Sequence, residues 1–324
     1  MIILMFIGVL MGCRNSSRNK EPVRKVTLAL TSQTEATLVH LAMAKGYFTQ
    51  EGIRMQPLMH ATGRAALASM LAGRADLATA ADTPVVFAVL TGEKPVIVAS
   101  IFSSNKNNGV IAGRDRGVVV PHDLKGKVVG YTPGTSSEFY MDSFLTANAI
   151  LRGDMKLVAL KPEEMQNALI SGKIDAAVTW NYYLANIRKR LGSRGVTFID
   201  KQIYTEIFNL VAGREYVQKN PMVIRQVVRA LLKAEKFAAE HPDEAQAFVA
   251  TELRIDKSLI AELWSEFNFR VSLDQLLLLV LEDESRWAMN GHPVEGAKMP
   301  NYLNYIHVDS LRGVKPEAVT LISR

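Results

Sequence analysis

Short apolar runs rich in β-branched residues recur along the chain, each followed by a polar turn and then a stretch of helical periodicity. Residues 26–30, 76–80, 96–102, 127–131, 175–179 and 208–212 read as strands. Helices fill the gaps between them, and that alternation predicts an α/β protein with parallel-rich sheets covered by helices. From Pro221 onward the pattern is helical almost to the end. Pro221 and Pro242 suit first-turn positions, and Val223, Val227, Val228, Leu231 and Leu232 form one apolar stripe. Lacking strands of its own, this tail is expected to pack on a lobe formed by the rest.

The chain also repeats itself. Residues 71–78 (LAGRADLA) match 170–177 (ISGKIDAA), with Gly73 and Gly172, and Asp76 and Asp175, at the same offset of 99. Each copy reads as a helix end, a glycine suited to a left-handed conformation, a basic residue, an aspartate and a short apolar strand. Upstream, 26–34 (VTLALTSQT) parallels 128–136 (VVGYTPGTS), both reading as strand, polar turn and helix start. Two similar lobes follow, expected over 25–113 and 114–206.

Composition narrows the classes. With 324 residues, 48% hydrophobic and 22% charged, the chain has the balance of a folded globular protein. The net charge of +6 is spread among interspersed acids and bases, so no stripe for nucleic acid is expected. The apolar run at 1–12 is too short to span a bilayer as a helix. It ends in Leu10, Met11, Gly12 and Cys13, which resembles a bacterial lipobox. That resemblance implies cleavage before Cys13, lipidation of its thiol and an extracytoplasmic, membrane-anchored protein in which 1–24 serve as signal and tether. The plain alternative is a buried apolar segment with an inert Cys13. As the chain has one cysteine, no internal disulfide is possible. The six histidines lack metal-ligand spacing, and no nucleophile elbow or dinucleotide fingerprint occurs, so neither an enzyme nor a cofactor or metal is expected.

Residues 44–53 (AKGYFTQEGI) carry a more specific signal. Gly46 is suited to end a helix, Phe48 to plug the core and Gly52 to turn the chain into a strand at Ile53. The stretch resembles a signature of the substrate-binding proteins of ABC importers for nitrate, taurine, alkanesulfonates and thiamine-precursor pyrimidines. Residues 123–130 (DLKGKVVG), 172–180, Asn220 with Pro221, and 241–245 (HPDEA) extend it over most of the chain. The resemblance implies a two-lobed clamshell of the type II periplasmic-binding fold. In it the chain crosses twice between lobes, with 207–324 returning to the first lobe and ending in helices. It further implies a monomeric receptor that closes on a small molecule and delivers it to a permease and its ATPase. A sensor reporting the ligand to a signalling partner is the alternative; such chains continue into a membrane helix, and no apolar run of that length follows the last helix.

In parallel sheets, ligands collect beyond the carboxyl ends of strands, where helix N-termini present free N–H groups. On lobe 1 this selects Ser32, Gln33 and Thr34, then Gly63 beside Thr62, and Asp82 and Thr83. On lobe 2 it selects Gly134, Thr135, Ser136 and Ser137, then Trp180 and Asn181. The Gly-Thr-Ser-Ser turn resembles the one this family closes on oxyanions, while by its residues alone Ser136 could be only a helix cap. Trp180 suits a ligand wall or hinge packing equally. Asp82 stands 99 residues before Asn181 and suits a helix cap; facing the cleft, it would repel a bare anion and favour a zwitterion or amino-heterocycle.

Overall fold

The computed structural model describes residues 23–291 and 297–322. Cys13, the lipobox before it and the tether up to residue 22 lie outside the described residues. Ten strands build two five-stranded sheets. The first contains β1 (Arg24–Thr31), β2 (Ile53–His60), β3 (Leu77–Ala81), β4 (Pro95–Ser104) and β10 (Glu206–Gly213), ordered β2-β1-β3-β10-β4. The second contains β5 (Asn108–Gly113), β6 (Val128–Tyr131), β7 (Lys156–Ala159), β8 (Ala176–Trp180) and β9 (Gly195–Phe198), ordered β7-β6-β8-β5-β9.

Both sheets are mixed, with the same plan. β1 runs parallel to β2 and β3, as β6 does to β7 and β8. The strand that arrives from the opposite lobe is the one that runs against its neighbours: β10 is antiparallel to β3 and β4, and β5 to β8 and β9. Because β5 belongs to the second sheet, the chain first crosses at 105–107 rather than after 113, and it returns through 199–205. Strands β3 and β8 are buried at every position, since helices cover both faces of each sheet.

The repeat has a common physical role. Gly73 (φ 73°) and Gly172 (φ 76°) are left-handed and end their helices, with Arg74 N–H on Ser69 O and Lys173 N–H on Ala168 O. Asp76 then accepts the Thr27 N–H at 2.7 Å and Asp175 the Val128 N–H at 2.9 Å. Each aspartate therefore extends the ladder at the start of the lobe's central parallel strand, well away from the strand ends where ligands gather.

The tail departs from the single-lobe expectation. Helix Pro221–Glu240 lays its apolar stripe on helix Thr37–Ala44 of lobe 1, and Glu51 pairs with both Arg229 and Lys233. Helix Lys257–Trp264, however, packs Leu259 and Ile260 in one cluster with Ala185 of lobe 2, where Lys189 pairs with Asp256. Helix Gln275–Gly291 lies on helix Asp82–Leu90, and Trp287 Nε1 donates to Asp142 of lobe 2 at 2.9 Å. Thus the C-terminal helices hold both lobes.

Candidate functional site

The carboxyl ends of β1, β3, β6 and β8 converge between the lobes. Lobe 1 supplies Gln33 and Glu35 after β1, Thr62, Gly63 and Arg64 at a helix mouth, and Ala81 and Pro84 after β3. Lobe 2 supplies Thr135 and Ser136 at the mouth of helix Ser136–Ala147, and Trp180 at the end of β8; Glu206 and Phe208 come from β10. Together they enclose a cavity of about 20 Å³, room for about one water, so the lobes lie closed on each other. Arg64 Nη1 donates to Pro133 O across the gap at 2.8 Å.

Of the residues selected from the sequence, Gln33, Gly63, Thr135, Ser136 and Trp180 line this cavity. Gly63 sits where a Cβ would meet the backbone of Ala80 at 3.0 Å, so a larger residue would lift the helix mouth off β3. Gly134 lies one step outward, at φ 67°, under the Arg64 guanidinium. It lines a larger interlobe chamber of about 520 Å³ together with Arg64, Leu71, Phe87, Tyr131 and Arg152.

The other residues do not line the cavity. Ser32 is exposed. Thr34 donates to Glu35, and Ser137 accepts the Thr132 N–H at 3.1 Å within its own turn. Asn181 N–H donates to Asn107 O at 2.6 Å, tying β8 to the first crossing. Thr83 donates to buried Glu284. Asp82 lies behind the cavity wall and accepts from Tyr204 Oη at 2.5 Å and from Ile207 N–H at 2.9 Å, gripping the second crossing. The helix mouth also differs from a serine-capped start. Thr135 is in the cap position, its hydroxyl donating to Thr132 O at 2.7 Å, and Ser136 opens the helix without capping it.

Four fully buried carboxyls surround the cleft and hinge. Burial and nearby Glu206 push Glu35 up to about 7, against the pull of the Asn107 amide, which donates to it at 3.2 Å. Asp82 is likewise pushed up to about 7, by burial and then by Glu206. Burial raises Glu206, which accepts from Asn108 Nδ2 at 2.6 Å, and burial and Asp82 raise Glu284 well above the usual range. The residues selected from the sequence end at Thr34, one residue short of Glu35, and nothing local marks Glu206, Arg64 or Phe208 as neighbours of the same space.

Two lobes of this topology, joined by two crossings over a cavity at opposed strand ends, define a protein of the periplasmic-binding fold. A model of the family described as NMT1/THI5 like matches residues 33–245, and the chain belongs to that family. A relative is the formylaminopyrimidine-binding protein of Halalkalibacterium halodurans, 26% identical over 253 residues, which are 75% of this chain and 75% of that protein. The periplasmic aliphatic sulphonate binding protein SsuA from Escherichia coli has the same fold, with a TM-score of 0.74 at 17% identity over 88% of this chain and 98% of that one. So does the periplasmic nitrate-binding protein NrtA from Synechocystis PCC 6803, with a TM-score of 0.72 at 14% identity over 92% of this chain and 89% of that one.

Proposed function

We propose that this chain is the extracytoplasmic receptor of an ABC importer, capturing a small polar organic anion, zwitterion or pyrimidine between its lobes and delivering it to the permease and ATPase. The observation that carries this reading is the cavity itself: helix mouths and strand ends of both lobes face one small space lined by polar and aromatic side chains, and two short crossings allow the lobes to part around it. The names of the relatives support the same range, since they bind sulphonate, nitrate or formylaminopyrimidine. Within the cavity, Ser136 and the free N–H groups of its helix serve the polar head, and Trp180 serves as a wall. Lipidation of Cys13 anchors the receptor at the outer face of the membrane.

A thermal-shift screen of taurine, ethanesulfonate, nitrate, a 4-aminopyrimidine and aromatic acids tests it. A solute at 100 times its dissociation constant adds about 2.7 kcal/mol of stability. Small-angle scattering with and without that solute should show the protein compact when loaded and expanded when empty. A protein that neither gains stability nor changes its radius with any solute is not a receptor of this class.

A further inference from the structure

The cavity wall is acidic where the relatives' names lead one to expect an anion. Glu35 and Glu206 both face it and are only 1% and 2% exposed. Among the described residues, neither meets a lysine or arginine at ion-pair distance. Their partners are neutral: Asn107 and Thr34 donate to Glu35 with the Asn181 amide beside them, and Asn108 donates to Glu206 with the Asn107 amide and the Ser136 hydroxyl beside it. Asn107 and Asn108 each give Nδ2 to a carboxylate, while the Oδ1 of each is buried without a partner. The cavity itself thus presents two carboxylates, with the orphaned amide oxygens of Asn107 and Asn108 behind them and one orphaned donor, Asn181 Nδ2, beside Glu35. Buried carboxylates left without a cation are costly, and a charged donor supplies what they lack. Trp180 and Phe208 complete the wall with ring surfaces, which also attract a cation.

We propose that the cleft selects an organic cation, a protonated amine or amidinium-type nitrogen, seated between Glu35 and Glu206 against Trp180, with the rest of the molecule passing Arg64 into the outer chamber. This rests on the reading that the cleft takes a solute, and narrows its range to zwitterions and amino-heterocycles that carry a cationic nitrogen, against a bare anion. The 20 Å³ cavity holds about one water as it stands and takes the cationic head only once the lobes part; the 520 Å³ chamber, walled by Leu67, Leu71 and Phe87, has room for the remainder. Arg64 stands at the junction of the two spaces, where an acidic or oxygenated substituent on the ligand would meet it. An oxyanion placed in the inner cavity would instead face two carboxylates at close range.

Proton release gives an independent readout. The groups around the pair are Asp82, Tyr204 and Glu284 on the hinge side, Tyr183 on the lobe 2 side and Arg64 at the rim. Since Glu35 is pushed up to about 7 by burial and by Glu206, the empty site at neutral pH is partly protonated, and an arriving cation expels that proton.

The test uses benzamidinium, agmatine and choline as cations and ethanesulfonate and nitrate as anions, each at equal concentration and pH 7.0. At least one cation is expected to raise the melting temperature, and neither anion should. Calorimetry of that cation in phosphate and in Tris should give enthalpies that differ by the buffer's ionisation heat, reporting proton release. Glu206→Gln and Glu35→Gln, compared with wild type for the stability of the empty protein, should each weaken the cation roughly ten- to a hundredfold. Stabilisation by ethanesulfonate or nitrate overturns the cation assignment while leaving the receptor reading intact. Silence from all three cations, or a cation whose affinity both glutamine variants preserve, overturns it as well. Silence from these probes and from every solute of the wider screen overturns the receptor reading itself.

Discussion

Asp82 offers a quantitative test of the buried acid cluster. It is fully buried, accepts from Tyr204 Oη and the Ile207 N–H, and has its carboxyl raised from 3.8 to about 7, by burial first and Glu206 second. A carboxyl whose pKa is higher in the folded than in the unfolded state stabilises the fold when protonated. That contribution is complete below the unfolded value of 3.8 and is lost as pH rises through about 7. Moving one carboxyl over that interval corresponds to about 4 kcal/mol, a ceiling here because Glu206, Glu284 and Asp82 share the burden of staying neutral. Asp82→Asn keeps an oxygen for the Ile207 N–H and turns an amide toward Tyr204, but has no charge to desolvate. In urea unfolding at pH 8.0, 6.5 and 5.0, the variant should exceed wild type by about 1–4 kcal/mol at pH 8.0, and the gap should shrink to roughly a third to a half of that by pH 5.0, closing only below the unfolded value of 3.8. His40, held low by burial, works with the opposite sign, but it is present in both proteins and cancels in the difference. If the variant is less stable at pH 8.0, or the difference does not change with pH, Asp82 is held as an ion by Tyr204 Oη and the Ile207 and Thr83 N–H groups, and the cluster is not a store of protons.

Gly73→Ala should cost about 1–2 kcal/mol in chemical denaturation, because φ is 73° there and the new methyl meets nothing within 4 Å, leaving backbone strain as the whole effect. Trp287→Phe should lose about 1–2 kcal/mol by removing the 2.9 Å bond to Asp142, while the new ring keeps the edge contacts with Phe87 and Phe139; an unchanged melting temperature would show that this bond does not hold the lobes. Cys13→Ser should move the protein out of the membrane fraction or leave its leader uncleaved, as seen by fractionation and intact mass; a variant still in the membranes at mature mass would refute the lipid anchor.

The sequence by itself determined much of the frame. The runs at β1, β3, β6 and β8, the helices between them and the 99-residue repeat follow from local period and turn chemistry, which need only neighbouring residues. The polar turns at the strand ends could be picked out for the same reason, and Gln33, Gly63, Thr135, Ser136 and Trp180 do meet in the cavity. Tertiary structure alone decided which sheet each crossing strand joins. NGVIAG of β5 has nothing in it to say that it pairs with β8 rather than continuing the sheet of β4, because pairing partners are chosen by packing far along the chain. The character of the site was decided in the same way. In the sequence Glu35, Glu206 and Glu284 look like surface acids and Asp82 like a helix cap or a cleft residue, and on priors such acids are exposed. Only the closing of two sheets, drawn together by strands that cross between them, removes those four from water and turns Glu35 and Glu206 toward the cavity.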